Sequence, residues 1–118
     1  MALPWVRMDT HWAQNPKFLM LADDGKWRSI AAYWAALGWS GGNGQAGFVP
    51  YFAMPQVHAV KRNVSELVEA RLWTPCDGGW QIHDWAEYQP TTEEHEKRSQ
   101  RARDAALVRW GRNGRGEP

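Results

Sequence analysis

Two segments with the hydrophobic period of an α-helix lie within the first 70 residues, and they constrain the fold more than any other feature. In residues 26–37 the apolar side chains fall at Trp27, Ile30, Ala31, Trp34 and Leu37. In residues 57–68 they fall at Val57, Val60, Val64, Leu67 and Val68. Steps of three and four residues put such side chains on one face of a helix. Residues 40–47 contain four glycines and therefore predict a loop between the two helices.

A shorter helix before these two and several strands after them complete the predicted order. Asn15 and Pro16 indicate a helix start, since Asn caps the free amides and Pro suits the first helical position. That helix is expected from Lys17 to about Ala22. The later signals are a very short strand at 47–50, a short helix at 51–57, and two strands at 72–75 and 80–85 joined by a turn at 76–79.

This order predicts an α+β fold, mostly helical with a small β-hairpin. Two short helices followed by a hairpin are the layout of a winged helix, which is a helix-turn-helix domain with a wing. On this interpretation residues 59–70 form the recognition helix and residues 72–85 form the wing.

Several protein classes are excluded by simple counts. The chain has 118 residues and a single cysteine, Cys76, so it has neither an internal disulfide nor a CxxC zinc motif. Its apolar stretches are far shorter than the roughly 18 residues that a membrane span needs. Residues 1–12 lack the apolar core of a signal peptide. We therefore expect a soluble, cytoplasmic protein with no membrane association.

Charge divides the chain near Pro90, although the formal net charge is only +1. Residues 1–90 hold seven cations, eight anions and eight of the nine tryptophans. Residues 97–118 hold seven cations and two anions. Thr91 and Glu94 form a capping-box pattern that opens a helix to about Trp110. We expect a winged-helix domain at 1–90 and a basic helical tail, the appended C-terminal helix, at 91–118.

Parts of the chain resemble a known family, the N-terminal winged-helix domain of actinobacterial phage and prophage replication-initiation proteins (replisome-organiser, DnaD-like). The matching segments are 5–7, 15–17, 47–50, 67–73 and 78–90, of which the last, with Trp80, Ile82, His83, Asp84, Trp85, Tyr88, Gln89 and Pro90, is the most specific. The resemblance covers about residues 5–90. It implies a winged helix, DNA as the partner, no cofactor, no enzymatic activity and a bacterial host cell.

The chain departs from this family at two points. The family usually has glycine where this chain has Arg71, and glycine permits a left-handed residue at the end of the recognition helix. Family members of the replisome-organiser type are longer and carry a C-terminal region for partner contacts, so helicase loading is not part of the expectation.

The residues expected to contact DNA lie at the start of the predicted recognition helix, the end that faces base edges in helix-turn-helix docking. They are His58, Lys61, Arg62, Asn63 and Ser65. Glu66 and Glu69 follow directly and would repel phosphate. The predicted wing tip, residues 77–79, contains an aspartate and no cation.

The tail offers a second set of candidates. Its cations extend over about 30 Å of helix at about 1.5 Å per residue, a length that reaches several phosphates. Those assigned to DNA are Lys97, Arg98, Arg101 and Arg109. An alternative is a solvated helix with i→i+4 ion pairs. A third interpretation is that Ala102, Ala106 and Trp110, spaced by four, pack on the core or on a second subunit to form a homodimer.

Other chemistry is weakly supported. Exposed tryptophans stack on unpaired bases, and Trp12, Trp39 and Trp110 are the candidates, but core packing is the favoured role. The four histidines lack metal-ligand spacing, and His83 with Asp84 alternates across a strand, so neither a metal nor a catalytic site is expected.

The sequence thus predicts a winged-helix protein that binds double-stranded DNA and acts in replication initiation or its control. The alternative is a winged-helix protein-interaction module that self-associates or binds a replication or host partner. Glu66, Glu69 and the cation-free wing favour the alternative, whereas the basic tail favours DNA.

Overall fold

The computed structural model describes residues 2–89 together with residues 100, 101 and 103–108. The start of the predicted tail helix at Thr91 and its end near Trp110 lie outside the described residues. Residues 100, 101 and 103–108 are helical. Within the described part, no helix has the length and apolarity that crossing a membrane requires.

The chain has the predicted α+β class. In residues 2–89, four α-helices and three strands follow one another as α1 (Pro16–Asp23), α2 (Trp27–Gly42), β1 (Phe48–Pro50), α3 (Lys61–Glu69), β2 (Trp73–Cys76), β3 (Gly79–Ile82) and α4 (Trp85–Tyr88). Two short 3-10 helices add Trp12–Gln14 and Tyr51–Ala53. The helix expected at 51–57 is thus a single 3-10 turn, because Pro55 has no amide hydrogen with which to continue it.

Helix α1 begins as its sequence predicts. The Asn15 side chain accepts a hydrogen bond from the Lys17 amide at 2.9 Å, and Pro16 occupies the first helical position. Phe18, which is buried, packs edge-to-face against Tyr33 of α2, with ring centroids 5.1 Å apart. The cap fixes where the helix starts, and the buried ring fixes the side of α2 on which it lies.

Helix α2 extends further than the sequence predicts, through residues 40–42 that were expected to form a loop. Ser40 ties this last turn to the sheet, since its hydroxyl donates to the Phe48 carbonyl at 3.0 Å and accepts from the Gly47 amide at 2.8 Å. Gly41 allows the N-terminal segment to approach, because a Cβ there would lie 2.5 Å from the side chain of Val6. Tertiary contacts therefore hold a glycine-rich helix end that local propensity disfavours.

The buried face of α2 is also rotated from the predicted one. Trp27 is 58% exposed and Ala31 is exposed, so the expectation that both lie on the apolar face is wrong. Ile30 and Leu37 are buried as expected, and small residues complete the face: Ser29, Ala32, Ala36, Ser40 and Gly41. Small side chains let α3 and β1 approach α2 closely, at Ser29 and Ser40 respectively.

The three strands form one antiparallel sheet in the order β1-β3-β2. Trp80 of β3 pairs with Val49 on one side and with Pro75 on the other. Both prolines of the sheet, Pro50 and Pro75, lie in outer strands, where a missing amide hydrogen is tolerated. The β2–β3 hairpin turns within the predicted segment 76–79, and β1 joins it as a third strand. The strand predicted at 80–85 is wrong beyond Ile82, because Asp84 has a left-handed φ of +57° and Trp85 begins α4.

Helix α3 ends in a left-handed residue. Arg71 has φ of +61°, the Arg71 amide donates to Val68 and the Leu72 amide donates to Leu67, both at 3.0 Å. These two bonds define a Schellman motif, whose left-handed position favours glycine. Arg71 therefore adopts the conformation for which the resembling family has glycine.

The apolar face predicted for 57–68 is only partly buried. Val57 and Leu67 are fully buried, whereas Val60 is 48% exposed. Val60 precedes the first turn of α3 in an extended conformation, so it does not share the face of the helix. Asn63 and Glu66 are buried instead.

Candidate nucleic-acid interface

A buried polar network underlies the first two turns of α3. Asn63 is 5% exposed, and its side-chain oxygen accepts from the Val60 amide at 3.0 Å. Its amide nitrogen donates to the Ser29 hydroxyl of α2 at 3.2 Å, which donates in turn to Glu66 at 3.2 Å. Asn63 is thus used by the fold, and we assign it a structural role in place of the DNA contact expected from the sequence.

Glu66 is turned into the protein rather than toward solvent. Its side chain is nearly buried, with one carboxylate oxygen on Ser29 and the other 3.3 Å from the Arg62 guanidinium. Arg62 neutralises this charge while 85% of its own side chain stays exposed. One of the two acids expected to repel phosphate is therefore absent from the outer face of α3.

The outer face of α3 is formed by Lys61, Arg62, Ser65 and Glu69, which are all exposed and lie within an arc of about 100°. The two cations occupy its N-terminal end. Glu69 lies about 10 Å further along the helix axis, at about 1.5 Å per residue. Positive charge is thus concentrated at one end of this face.

Arg28 of α2 extends this positive end, and sequence reasoning missed it. Its Nε donates to the backbone carbonyl of His58 at 3.4 Å, although the two residues are 30 positions apart. Both are exposed, and His58 lies directly before α3 with φ of +62°. We call Arg28, His58, Lys61 and Arg62 the basic cluster. No local pattern signals Arg28, since only the packing of α2 on α3 places it there.

The charge order on α3 opposes its helix dipole. Lys61 and Arg62 occupy the first two helical positions, where the partial charge of the helix is positive, and the first turn has no acid. Glu69 is at the other end, where the partial charge is negative. Each unfavourable end charge costs about 0.3–1 kcal/mol. The free amides and the two cations together make this end suited to an anion.

A groove separates α3 from the hairpin. Its walls combine apolar and basic side chains, which are Met54, Ala59, Val60, Lys61, Arg62, Val64, Ser65 and Trp80. The hairpin turn itself, with Asp77 and Gly78, presents no cation, as the sequence indicated.

The tail residues are described only in part. Arg101 is exposed, and Ala106 is half-buried in the helical segment. Leu107 and Val108 of the same segment are exposed. The other residues assigned to DNA contact or self-association, Lys97, Arg98, Ala102, Arg109 and Trp110, lie outside the described residues. Both roles of the tail stay predictions.

Two of the tryptophans considered for base stacking have internal partners. Trp12 packs against Phe18 and Trp34, with ring centroids 5.4 and 5.3 Å apart. The Trp39 indole donates to the Gln56 side chain at 2.6 Å. Both are partly buried and contribute to the core.

Metal-ligating side chains are scattered over the described part of the chain. Its His, Cys, Asp and Glu residues form no group of three or more that could hold a metal ion. The His83 ring lies 3.2 Å from the Asp84 carboxylate. Among the described residues, the one large pKa shift is at Tyr33, where burial raises the pKa to about 12 with smaller contributions from Tyr88 and Asp84.

No protein-family model, curated protein or solved structure matches the chain significantly. The functional assignment therefore depends on the geometry of α3 and on the sequence pattern.

Proposed function

We propose that the protein is a winged-helix DNA-binding protein whose helix α3 enters the major groove of a duplex. The succession of α2, β1, a turn at 51–58, α3 and the β2–β3 hairpin supports this fold, as does the strand order β1-β3-β2. A winged helix places its last helix in the groove and its hairpin beside it.

The basic cluster carries the proposal. Arg28 of α2 donates to the His58 carbonyl in the turn before α3, and the first turn of α3 carries Lys61 and Arg62. Glu66 is turned inward, where it is paired with Arg62 and Ser29. Lys61 and Arg62 contact phosphates or base edges, and Arg28 and His58 contact the flanking backbone. Ser65 lies one turn further on the same face. Asn63 holds α3 in position through Ser29.

The tail adds affinity without adding sequence information. Lys97, Arg98, Arg101 and Arg109 would neutralise further phosphates, and each phosphate contact steepens the salt dependence of binding. The family resemblance alone supports a role in phage or prophage replication initiation or its control, in the cytoplasm of a bacterial host.

Fluorescence anisotropy with a short labelled duplex tests this function. The full-length protein should bind at about 50 mM salt and lose most of its affinity at about 200 mM. The double variant Lys61→Ala/Arg62→Ala should weaken binding by about 1–3 kcal/mol. The control Lys17→Ala/Arg71→Gly removes the same charge at the C-terminal end of α3, where Lys17 donates to the Arg71 carbonyl and Arg71 has a left-handed φ that glycine tolerates, and it should bind as the wild type does.

Two outcomes would overturn the proposal. Equal affinities for the double variant and the wild type would remove α3 from the contact. Absence of duplex binding at low salt would favour the alternative, a protein-interaction module, which the cation-free hairpin turn and the exposed Glu69 support.

A further inference from the structure

Two exposed aromatic rings lie beside the candidate interface and take no part in the proposed duplex contact. Tyr51 and Phe52 form the 3-10 helix after β1 and are 60% and 70% exposed. Exposure of two adjacent large rings is unfavourable, at about 25 cal/mol for each Å² of apolar surface. We call these two rings, with Trp80 beside them, the aromatic patch.

The rings of the patch are held in fixed positions. Tyr51 packs edge-to-face on Trp80 with centroids 5.0 Å apart, and Phe52 packs edge-to-face on Trp39 at 6.1 Å. The Tyr51 amide also donates to the Gly78 carbonyl in the hairpin turn at 3.0 Å. A ring that is already immobilised loses little side-chain entropy when a second planar group stacks on it.

The aromatic patch borders basic side chains. Trp80 lines the groove that Lys61 and Arg62 also line, and the residues described along that groove include no acid. Aromatic faces next to cations are the combination by which proteins bind unpaired nucleotides, since rings stack on bases and cations neutralise phosphates. A protein partner that bound this patch through apolar side chains would instead have to bury both Lys61 and Arg62.

We propose that the aromatic patch stacks unpaired bases, so that the preferred ligand is DNA in which a duplex adjoins a single strand. This inference rests on the proposed function: α3 holds the duplex, and Tyr51 and Phe52 hold the first unpaired bases beyond it. A ligand of this class occurs wherever a duplex has been locally opened.

The test compares three labelled probes by anisotropy: a blunt duplex, the same duplex with a short thymidine overhang, and the thymidine strand alone. The wild-type protein should bind the overhang duplex at least about five-fold more tightly than the blunt one. Phe52→Leu keeps an apolar side chain and removes the ring, so the variant should lose this gain and keep its blunt-duplex affinity. Phe52→Tyr should retain the gain.

Matched controls separate stacking from other effects. Met20→Ala alters an equally exposed apolar side chain on α1 and should leave the gain unchanged. Thermal melting followed by circular dichroism checks that each variant folds. Equal binding of blunt and overhang duplexes by the wild type overturns this inference, while the proposed function survives if the blunt duplex still depends on Lys61 and Arg62.

Two further outcomes also count against the inference. Sedimentation that shows a wild-type dimer dissociated by Phe52→Leu, with the overhang gain intact, would make the patch a protein interface. Failure to bind any probe would remove the proposed function together with the inference.

Discussion

Asn63, Glu66 and Ser29 place polar groups where α2 and α3 would otherwise meet through apolar side chains. Each donor and acceptor in this set has a specific partner, so the two helices fit together in one relative position only. Arg62 is exposed and pairs with the buried Glu66 of this network, so it connects the interior to the candidate interface.

Replacing Asn63 separates its structural role from a DNA contact. Asn63→Ala removes the acceptor of the Val60 amide and the amide that donates to the Ser29 hydroxyl, and should lower the free energy of unfolding by about 2 kcal/mol. Ser65→Ala, on the exposed face of the same helix, should change it by less than about 0.5 kcal/mol. Urea unfolding measures both. Equal stabilities would show that the buried network contributes nothing.

Tyr33 makes stability depend on alkaline pH. In the unfolded chain the phenol loses its proton near pH 10, whereas burial holds the proton in the folded protein until about pH 12. Deprotonation therefore favours the unfolded state in this window, and the free energy of unfolding falls as pH rises through it. Between about pH 9 and 11, the free energy of unfolding of Tyr33→Phe should fall by about 1 kcal/mol less than that of the wild type.

Urea unfolding of both proteins at the two pH values provides the test, because the direct effect of the substitution cancels in the difference. An identical pH dependence would mean that Tyr33 ionises normally in the folded protein.

At the scale of elements, the charge order of α3 suggests that stability and binding oppose each other. Lys61→Glu places an acid in the first turn, where the dipole favours it, and should raise the free energy of unfolding by about 0.5–1 kcal/mol. The same change should weaken duplex binding by about ten-fold or more. Urea unfolding and anisotropy measure the two effects. A variant that binds as well as the wild type would contradict the role given to Lys61.

The sheet depends on one close approach between β1 and β3. A Cβ at Gly79 would collide with the Val49 carbonyl, so Gly79→Ala should destabilise the protein by about 2 kcal/mol or more. Gly38→Ala, inside α2 with open space around it, should stabilise by about 0.5–1 kcal/mol. Thermal melts of the two variants should move in opposite directions. A shift of the same sign in both would contradict this account of the sheet.

Local pattern predicted some elements better than others. Helix α1 and the β2–β3 turn depend on nearby residues, such as the Asn15 cap, and lie where the sequence predicts them, whereas β3 ends at Ile82, three residues before its predicted end. The end of α2 depends on Ser40 and Gly41 meeting β1 and the N-terminal segment, which no local pattern reveals. The exposure of Trp27 has the same origin, because it depends on which sides of α2 are covered.

In the whole molecule, some residues of the candidate interface are predictable from the sequence and others are not. Lys61, Arg62 and Ser65 were identified from helical spacing, and all three are exposed on one face. Arg28 and the burial of Asn63 were not, since both require α2 and α3 to be packed together across about 30 residues of chain. Because residues from two helices form the site, the sequence pattern of either helix alone identifies only part of it.

In the proposed complex, duplex DNA contacts the basic cluster at the start of α3. Amide chemical shifts of the isotope-labelled, full-length protein, followed as a short duplex is added at low salt, test it most directly. The largest changes are expected at Arg28, His58 and residues 60–65, and they should diminish as salt is raised. Changes confined to residues outside this cluster, with α3 unaffected, would contradict it.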